Sequence, residues 1–381
     1  MKITIVLGAF FPVPPTMGGG VEKVWFTLAP EFVKRGAEVV MVSRKMPELP
    51  REEMIDGVKH LRVDGFDTPR PLLWLKFLDL IYSLRAMSIL PHADVIVTNT
   101  FWLPILLRGS TYGKVYVQVA RYPKGQMRLY GGAARLQAPS HAVARAITAE
   151  APRLANKVSV VPNPLPKSMI TSTVTPVADR DKIMLFVGRV HPEKGVHVLV
   201  DAFVSGARTA FADWRLIIVG PTETKLGGGG TDYLVDLKRR ARSAEVVFRG
   251  PIFDPLGLEK EFRSARIFAY PSLAERGETF GLAALEGMAH NCAVFVSDLG
   301  CFHDFIRDGE TGFIFNHRAQ NPVESLREKI ASAIVDPALL ARIADAGYRR
   351  SADYSVPGVA DQFLADFNSV LRESDAARAS R

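Results

Sequence analysis

The chain has 381 residues, of which 48% are hydrophobic and 23% charged, with two cysteines and a formal net charge of +8. This length indicates two or three domains of ordinary globular composition. Two cysteines exclude a disulfide scaffold and indicate a reducing compartment. No window of eighteen residues is apolar and free of charge, and the N-terminus lacks a signal-peptide layout, so we expect a cytoplasmic protein without a transmembrane helix.

The positive charge is confined to the first half of the sequence. Residues 1–165 contain 21 Lys and Arg against 12 Asp and Glu, whereas residues 166–381 contain 27 against 28. No acidic residue occurs between Asp94 and Glu150, a stretch that holds seven basic residues. Such a region is either a solvated basic face or a site for anions such as acidic lipids or phosphorylated small molecules. Nucleic acid is a weaker interpretation, because no nucleic-acid-binding motif accompanies the charge.

Short apolar segments alternate with helical segments along the first half. We predict strands at residues 3–7, 39–42, 94–98, 114–119 and 158–161, and a helix over residues 20–34 that ends at Gly36, a residue suited to a helix C-cap. Buried strands that alternate with helices indicate a parallel sheet with helices on both faces.

A second series of the same kind follows a proline-rich break. Residues 162–166 read Pro-Asn-Pro-Leu-Pro, which suits neither a helix nor a central strand. Strands are then predicted at residues 183–187, 215–219, 246–248, 267–269 and 293–297, with helices between them, such as 196–203 and 282–289. We therefore predict an α/β protein of two doubly wound, Rossmann-like domains, residues 1–165 and 180–355. Ligands of such sheets bind at the carboxyl ends of the strands, so we expect the substrates in a cleft between the two domains.

Two further helical segments need separate interpretation. Residues 356–372 carry apolar residues at helical spacing, and we expect this helix to return to the first domain. Residues 71–90 form a helix with a wide apolar arc, in which Lys76, Asp79 and Ser83 share one face. This helix either lies buried on the first sheet or docks on a partner or an anionic membrane, where a lipid-linked acceptor would be met.

The motif Glu278-Thr-Phe-Gly-Leu-Ala-Ala-Leu-Glu286 separates two carboxylates by seven residues. Since a helix is predicted from Leu282, Glu278 belongs to the loop before it and Glu286 lies about one turn inside. The helix start supplies backbone N–H groups and the positive end of the helix dipole, which suit an anion. Carboxylates accept hydrogen bonds from sugar hydroxyls. On the spacing alone, however, the simpler interpretation is one carboxylate that favours the helix dipole and one solvated glutamate.

A second motif, Gly188-Arg189-Val-His-Pro-Glu-Lys194-Gly195, follows the first strand of the second domain. Its guanidinium and ammonium groups would lie just beyond the carboxyl end of a strand. They suit a diphosphate that gains charge as it departs, although a pair of surface cations is the simpler alternative.

Taken together, these two motifs resemble the paired signature of retaining glycosyltransferases of the GT-B fold, glycosyltransferase family 4. The resemblance extends over nearly the whole chain. Gly18-Gly19-Gly20 resembles the family's glycine-rich loop before the first helix, and residues 160–163 fall where the family closes its first domain.

The resemblance implies a role for each matching residue. Arg189 and Lys194 would bind the diphosphate of the donor and stabilise it as a leaving group, with Gly188 beside them. Glu286 would hold the ribose hydroxyls of the nucleotide, and Glu278 would hydrogen-bond the transferred sugar. The backbone of Phe280, Gly281 and Leu282 would contact sugar and phosphate, and Gly18, Gly19 and Gly20 would approach from the opposite wall. The family needs no metal, cofactor or protein nucleophile.

The chain departs from the family at one position that matters for binding. Many relatives carry a histidine after the strand that matches residues 114–119, and Ala120 is its counterpart here. Either Arg121 or another group replaces it, or the sugar is held differently. Arg121 and Lys124 are our candidates for acceptor or phosphate contacts.

Three other motifs carry less weight. Asp179-Arg180-Asp181 resembles a metal-binding DxD motif, but it precedes a strand and is interpreted as a solvated linker. The pairs His290/Cys292 and Cys301/His303 fit no common zinc module. We assign no role to the glycine-rich loop of residues 226–231.

The resulting prediction is a metal-independent, retaining hexosyltransferase. The donor would be a UDP-, GDP- or ADP-sugar, and the acceptor a lipid-linked or glycan hydroxyl in cell-envelope or polysaccharide synthesis. Two alternatives stay open: an inactive protein that binds sugar nucleotides, and an epimerase or phosphorylase of the same fold.

Overall fold

The computed structural model describes residues 1–17, 19–69, 71–109, 111–166 and 175–379, with side chains up to Glu373. The chain forms two compact units. The first consists of Met1–Pro164 and the C-terminal segment from Val356, and the second of Leu165–Ser355. Within the described residues, the helices are too short or too polar to cross a lipid bilayer.

The first unit is built on a sheet of eight strands in the order β3-β4-β2-β1-β5-β6-β7-β8. The strands are β1 (Lys2–Val6), β2 (Glu38–Lys45), β3 (Glu52–Ile55), β4 (Val58–Asp64), β5 (Val95–Thr98), β6 (Lys114–Gln118), β7 (Arg135–Ala138) and β8 (Val158–Val160). All neighbours pair in parallel except β3, which is antiparallel to β4. The edge strand β3 is an addition that the sequence analysis did not predict, and the tight turn at Asp56 and Gly57, both at positive φ, joins it to β4 as a hairpin.

Helices cover both faces of the first sheet. They are α1 (Gly20–Lys34), α2 (Leu72–Ser88), α3 (Leu103–Leu106), α4 (His141–Glu150) and, from the end of the chain, α11 (Val356–Ala379). One core lies between the sheet and the pair α1 and α11, where Trp25, Phe363 and Phe367 are buried. The other core lies on the opposite face around Tyr82 and Leu136. The last helix of the chain is thus part of the first unit's core.

The second unit has a parallel sheet of six strands in the order β11-β10-β9-β12-β13-β14. The strands are β9 (Asp181–Val187), β10 (Arg215–Val219), β11 (Val246–Gly250), β12 (Ala265–Tyr270), β13 (Ala293–Ser297) and β14 (Phe313–Phe315). The helices are α5 (Val196–Gly206), α6 (Gly230–Arg240), α7 (Pro255–Ser264), α8 (Leu282–Ala289), α9 (Pro322–Ile334) and α10 (Pro337–Ser351). Strands β9 and β12 are neighbours at the centre of the sheet, so the loops that follow them emerge side by side.

Candidate functional site

The loops at the carboxyl ends of three strands of the second unit are joined by backbone hydrogen bonds. The amide of Leu273, after β12, donates to the carbonyl oxygen of Glu193, after β9, over 2.8 Å. The amide of Gly229, after β10, donates to the carbonyl oxygen of Val190 over 2.8 Å. The loops therefore form one continuous edge, which is the place where ligands of parallel sheets bind.

Lys194 and Glu278 meet at this edge. The ammonium of Lys194 donates to Oε2 of Glu278 over 2.7 Å, and both side chains are about nine-tenths buried. The ammonium also lies 5.6 Å from the ring centroid of Tyr270, the last residue of β12. Burial raises the pKa of Tyr270 well above its ordinary value, and the negative charge of Glu278 adds to this effect, so Tyr270 stays neutral beneath the pair.

Two glycines allow the loops to approach this closely. Gly195 has φ of +67°, and a Cβ at this position would overlap the carbonyl oxygen of Pro271. Gly281 has φ of +85°, and a Cβ there would overlap the ring of Phe302. A larger residue at either position would combine an unfavourable backbone conformation with a clash, so both glycines position the ion pair.

Arg189 lies on the same loop as Lys194, and the structure gives its guanidinium different partners. One nitrogen donates to the carbonyl oxygen of Gly227 over 2.8 Å, and another pairs with the carboxylate of Glu193. The side chain is 43% exposed, so it is accessible to a ligand. The loop of residues 226–231, to which we had assigned no role, thus supports Arg189.

The two predicted carboxylates lie at the start of α8. Glu278 belongs to the loop before the helix, Gly281 is the residue immediately before its first turn, and Glu286 lies one turn inside. Phe280 is buried, whereas Leu282 and Glu286 are half-buried. The backbone N–H groups and the dipole at this helix start favour an anion beside Glu278 and Lys194.

The remaining predicted residues belong to the first unit. Gly19 precedes α1 with φ of +89°, and Gly20 is the first residue of that helix, whereas Gly18 lies outside the described residues. Arg121 and Lys124 are exposed on the loop after β6. Burial raises the pKa of Glu22 on α1, and the charge of Arg121 opposes this shift, so the two side chains interact electrostatically.

Several residues that support the site were missed by our sequence analysis. Tyr270 and Gly227 are described above. In addition, Arg318 binds both carboxylate oxygens of Glu275, at 2.7 and 2.8 Å, and so ties the loop after β12 to the segment after β14. The sequence signal for Tyr270 is its position at the end of a buried strand, whereas nothing in the sequence pairs Arg318 with Glu275.

The residues of the three possible metal-binding motifs do not form a metal site. Arg180, between the two aspartates, is buried and donates to the carbonyl oxygens of Ala265 and His290. Cys292 and Cys301 are both buried free thiols. Across the part of the chain that the structure describes, no three His, Cys, Asp or Glu side chains are grouped so that they could hold a metal ion.

Two family models together match most of the chain. The model described as "Glycosyl transferases group 1" matches residues 171–350, and the model described as "Glycosyltransferase Family 4" matches residues 18–167. The first match contains Arg189, Lys194, Glu278 and Glu286.

Curated relatives match over part of their length. The chain is 31% identical over 197 residues to a phosphatidyl-myo-inositol mannosyltransferase of Mycobacterium tuberculosis, which covers 50% of this chain and 47% of the relative. It is 28% identical over 188 residues to a lipopolysaccharide core biosynthesis mannosyltransferase of Rhizobium leguminosarum, which covers 49% of this chain and 51% of the relative. The matched segments thus span about half the length of these relatives.

Solved structures match over nearly the whole chain. Sucrose-phosphate synthase from Thermosynechococcus elongatus has a TM-score of 0.76 at 21% identity and covers 99% of this chain and 100% of its own. An Anabaena protein crystallised with UDP and glucose has a TM-score of 0.68 at 18% identity, with 97% and 100% covered. At these identities the likeness concerns the fold. The family matches and this fold show that the chain belongs to glycosyltransferase family 4 and has the GT-B architecture of two α/β domains.

Proposed function

We propose that the chain is a retaining glycosyltransferase that moves a hexose from a nucleoside diphosphate sugar to a hydroxyl acceptor. The observation that carries the proposal is the buried pair of Lys194 and Glu278 at the start of α8. The cation that would bind the leaving diphosphate, Lys194, is hydrogen-bonded to the carboxylate that would bind the sugar hydroxyls, Glu278. An Anabaena protein of the same fold was crystallised with UDP and glucose, which supports a sugar nucleotide as donor.

Lys194 would act through the N–H groups that Glu278 does not use. An ammonium has three N–H donors, of which Glu278 accepts from one, so two can reach phosphate oxygens. The exposed guanidinium of Arg189 would bind the same diphosphate through its fork of donors. Both cations would stabilise the negative charge that develops on the leaving group.

Glu278 and Glu286 would bind the two ends of the donor. Glu278 would accept hydrogen bonds from the transferred sugar, and Glu286, one helical turn away, would accept them from the ribose. The bond between the anomeric carbon and the diphosphate would break as the acceptor oxygen bonds to the same face of that carbon. The proton of the acceptor hydroxyl would pass to the departing phosphate, so we propose no protein nucleophile and no metal.

The first unit would bind the acceptor. Gly19 and Gly20 start a helix with backbone N–H groups, and Arg121 and Lys124 offer exposed positive charge. Mannosyltransferases of lipopolysaccharide and phosphatidyl-inositol are among the relatives, which supports a glycan or lipid-linked acceptor in envelope synthesis at the cytoplasmic side.

Ligand-dependent thermal unfolding tests the donor site. UDP, GDP, ADP and their hexose conjugates are added in turn, and the nucleotide that raises Tm identifies the donor. We expect Glu286→Ala to abolish this shift, whereas Glu328→Ala, an exposed glutamate on α9, leaves it unchanged. An equal shift in the Glu286 variant would overturn the assignment.

Product analysis separates the proposed activity from its alternatives. Wild-type protein is incubated with the identified donor and a panel of acceptors, and the products are identified by mass spectrometry and NMR. The same methods detect isomerised donor, and a parallel reaction tests whether turnover requires free phosphate. Transfer with the anomeric configuration retained supports the proposal. Donor binding without any turnover favours an inactive binding protein, for which the alanine at position 120 is the best argument.

A further inference from the structure

Helix α2 buries a side that contains polar residues and exposes a side of large apolar residues. Asp79, Tyr82, Ser83 and Ala86 are buried, so the side that contains a carboxylate and a hydroxyl packs against the first unit. The opposite side consists of large apolar residues that are more than half exposed, namely Leu73, Trp74, Phe77 and Leu84. We call these four residues the α2 face. A surface helix normally shows the reverse arrangement, because burial of apolar area stabilises the fold.

Specific hydrogen bonds hold the helix in this orientation. The carboxylate of Asp79 accepts from the backbone amides of Phe101, at 3.0 Å, and Trp102, at 3.2 Å. The indole of Trp102 donates to the carbonyl oxygen of Lys76 over 2.7 Å. Rotation of the helix to bury the α2 face would break all three bonds and leave Asp79 without its donors. The exposure of the α2 face is therefore a property of the packed structure.

The α2 face continues into further aromatic residues. Trp74 and Phe77 pack edge to face with ring centroids 5.5 Å apart. On the loop after β5, the ring of Phe101 lies beneath the ammonium of Lys76, which is 4.5 Å from the ring centroid. Tryptophan rings and lysine side chains of this kind suit the boundary between water and hydrocarbon, since each has an apolar body and a polar tip.

Basic side chains flank the α2 face, and one of them, Arg85, donates to the carbonyl oxygen of Asp64 over 2.8 Å. Within α2, Asp79 is the single acidic residue and it is buried, whereas Arg85 is exposed at the rim. The hydroxyl of Tyr130 donates to the carbonyl oxygen of Phe101 over 3.1 Å, which attaches the loop that bears the exposed Lys124 and Arg128. This loop belongs to the acid-free stretch between Asp94 and Glu150, and its backbone amides at Gly125 and Met127 donate to the carboxylate of Glu150, each over 2.7 Å.

We propose that the α2 face docks on the surface of an anionic phospholipid bilayer, with its apolar side chains among the acyl chains and the basic rim on the headgroups. The combination of a one-sided apolar helix and a basic surround matches the two attractions that bind such helices to membranes. A second copy of the chain is a poorer occupant, because a two-fold contact through this face would bring the cations of the two copies, Lys76 and Arg85, towards one another.

Vesicle flotation with the full chain tests the proposal without donor or acceptor, so its outcome is independent of the transfer activity. We expect binding to vesicles of phosphatidylcholine with about 30% phosphatidylglycerol, weaker binding as salt is raised, and little binding to phosphatidylcholine alone. Trp74→Ser/Phe77→Ser should lower the partition coefficient at least tenfold. Arg85→Gln should lower it about fivefold, since each basic residue near an anionic surface contributes a factor of this size.

Matched controls are available on β3 and β4. Met54→Ser removes an apolar side chain that is 64% exposed, and Lys59→Gln removes a cation whose side chain is 45% exposed, so both variants should bind vesicles as the wild type does. Circular dichroism checks that each variant is folded, and Leu84→Ser repeats the test at the other end of the face. The proposal is overturned if the wild type ignores anionic vesicles, if the face variants bind as well as the controls, or if sedimentation shows instead a dimer that these variants dissociate.

Discussion

Lys194 and Glu278 form an ion pair of 2.7 Å that is about nine-tenths buried and spans 84 residues of sequence. Each residue comes from a different loop, after β9 and after β12, and each loop is constrained by a glycine. The pair therefore links the integrity of the site to the stability of the second unit.

Replacement of one partner should destabilise the protein more than replacement of both. Lys194→Met or Glu278→Gln removes half of the pair, and Lys194→Met in particular leaves a buried charge without compensation, which costs about 3–5 kcal/mol. Lys194→Met/Glu278→Gln should recover at least half of that loss, whereas transfer activity stays absent in all three variants. Urea denaturation measures the stability, and a transfer assay with the identified donor measures the activity. Lys59→Met, from an exposed pair with Glu52, is the control and should cost less than about 1 kcal/mol. Additive losses in the double variant would contradict the coupling.

Gly195→Ala should displace the loop that carries Lys194. The residue has positive φ, and the new Cβ would also overlap the Pro271 carbonyl. Gly309→Ala is a matched control in the same unit, since Gly309 has φ of +72° but a Cβ added there would meet no atom of the described residues within 4 Å. The control should show the backbone cost of about 1 kcal/mol alone. The Gly195 variant should lose more stability and also its donor binding, and equal losses in unfolding experiments would refute the role of the close contact.

Asp79→Asn should change the pH dependence of stability. Burial raises the pKa of Asp79 from 3.8 to about 6, so the native state binds this proton more tightly than the unfolded chain. The resulting stabilisation is fully present below pH 3.8 and is lost as the pH rises through 6, a difference of about 3 kcal/mol. Asparagine does not titrate, so the stability of the variant relative to wild type should rise between about pH 4 and 7.

The quantity to measure is the difference in stability between the wild type and Asp79→Asn. The stability of the wild type alone is not sufficient, because His60 changes it over the same pH range in the opposite direction. Burial, and then the charge of Arg62, lower the pKa of His60 to about 4, so its contribution to stability is lost as the pH falls. Urea unfolding of wild type, Asp79→Asn and the exposed control Glu48→Gln at several pH values checks the prediction. A constant difference between wild type and Asp79→Asn across this pH range would contradict it.

Phe367→Ala should destabilise the first unit strongly, although it lies near the end of the chain. Its ring packs edge to face on Tyr116, with centroids 4.8 Å apart, and is fully buried. Loss of a buried phenylalanine costs about 3–5 kcal/mol because a cavity remains. Phe253→Ala, at a site that is 77% exposed, should change the free energy of unfolding by no more than about 0.5 kcal/mol. Chemical denaturation of both variants provides the measurement, and similar values for the two would show that α11 is dispensable.

Much of the architecture could be predicted from local sequence patterns. Helix α1 begins at Gly20 and ends at Lys34, as the spacing and Gly36 indicate. The central strands are buried apolar runs, which periodicity detects. By contrast, β3, β4, β7 and β14 were missed. In the case of β3, Glu52–Ile55 is a short, charged edge strand whose burial alternates weakly.

Two features could not be predicted from local sequence patterns: the direct contact in the site and the orientation of α2. The motifs predicted that Lys194 and Glu278 belong to one site, yet their direct contact depends on the order of β9 and β12 in the sheet. For α2, the apolar arc was compatible with burial on the sheet. Which side of α2 is buried is instead determined by the hydrogen bonds from the backbone amides of Phe101 and Trp102 to Asp79. These bonds join residues more than 20 positions apart, so they produce no periodic pattern in the sequence.

The path of the backbone has a consequence for how the protein is made. The second unit begins at Leu165, whose amide donates to the carbonyl oxygen of Tyr354 over 2.7 Å, so the two ends of this unit are adjacent and it is an insertion within the first. Val356, Val359 and Phe363, which complete the first unit's core, are synthesised after the whole second unit. On the ribosome, the N-terminal half must therefore wait, with one apolar surface uncovered, until the inserted half has been translated.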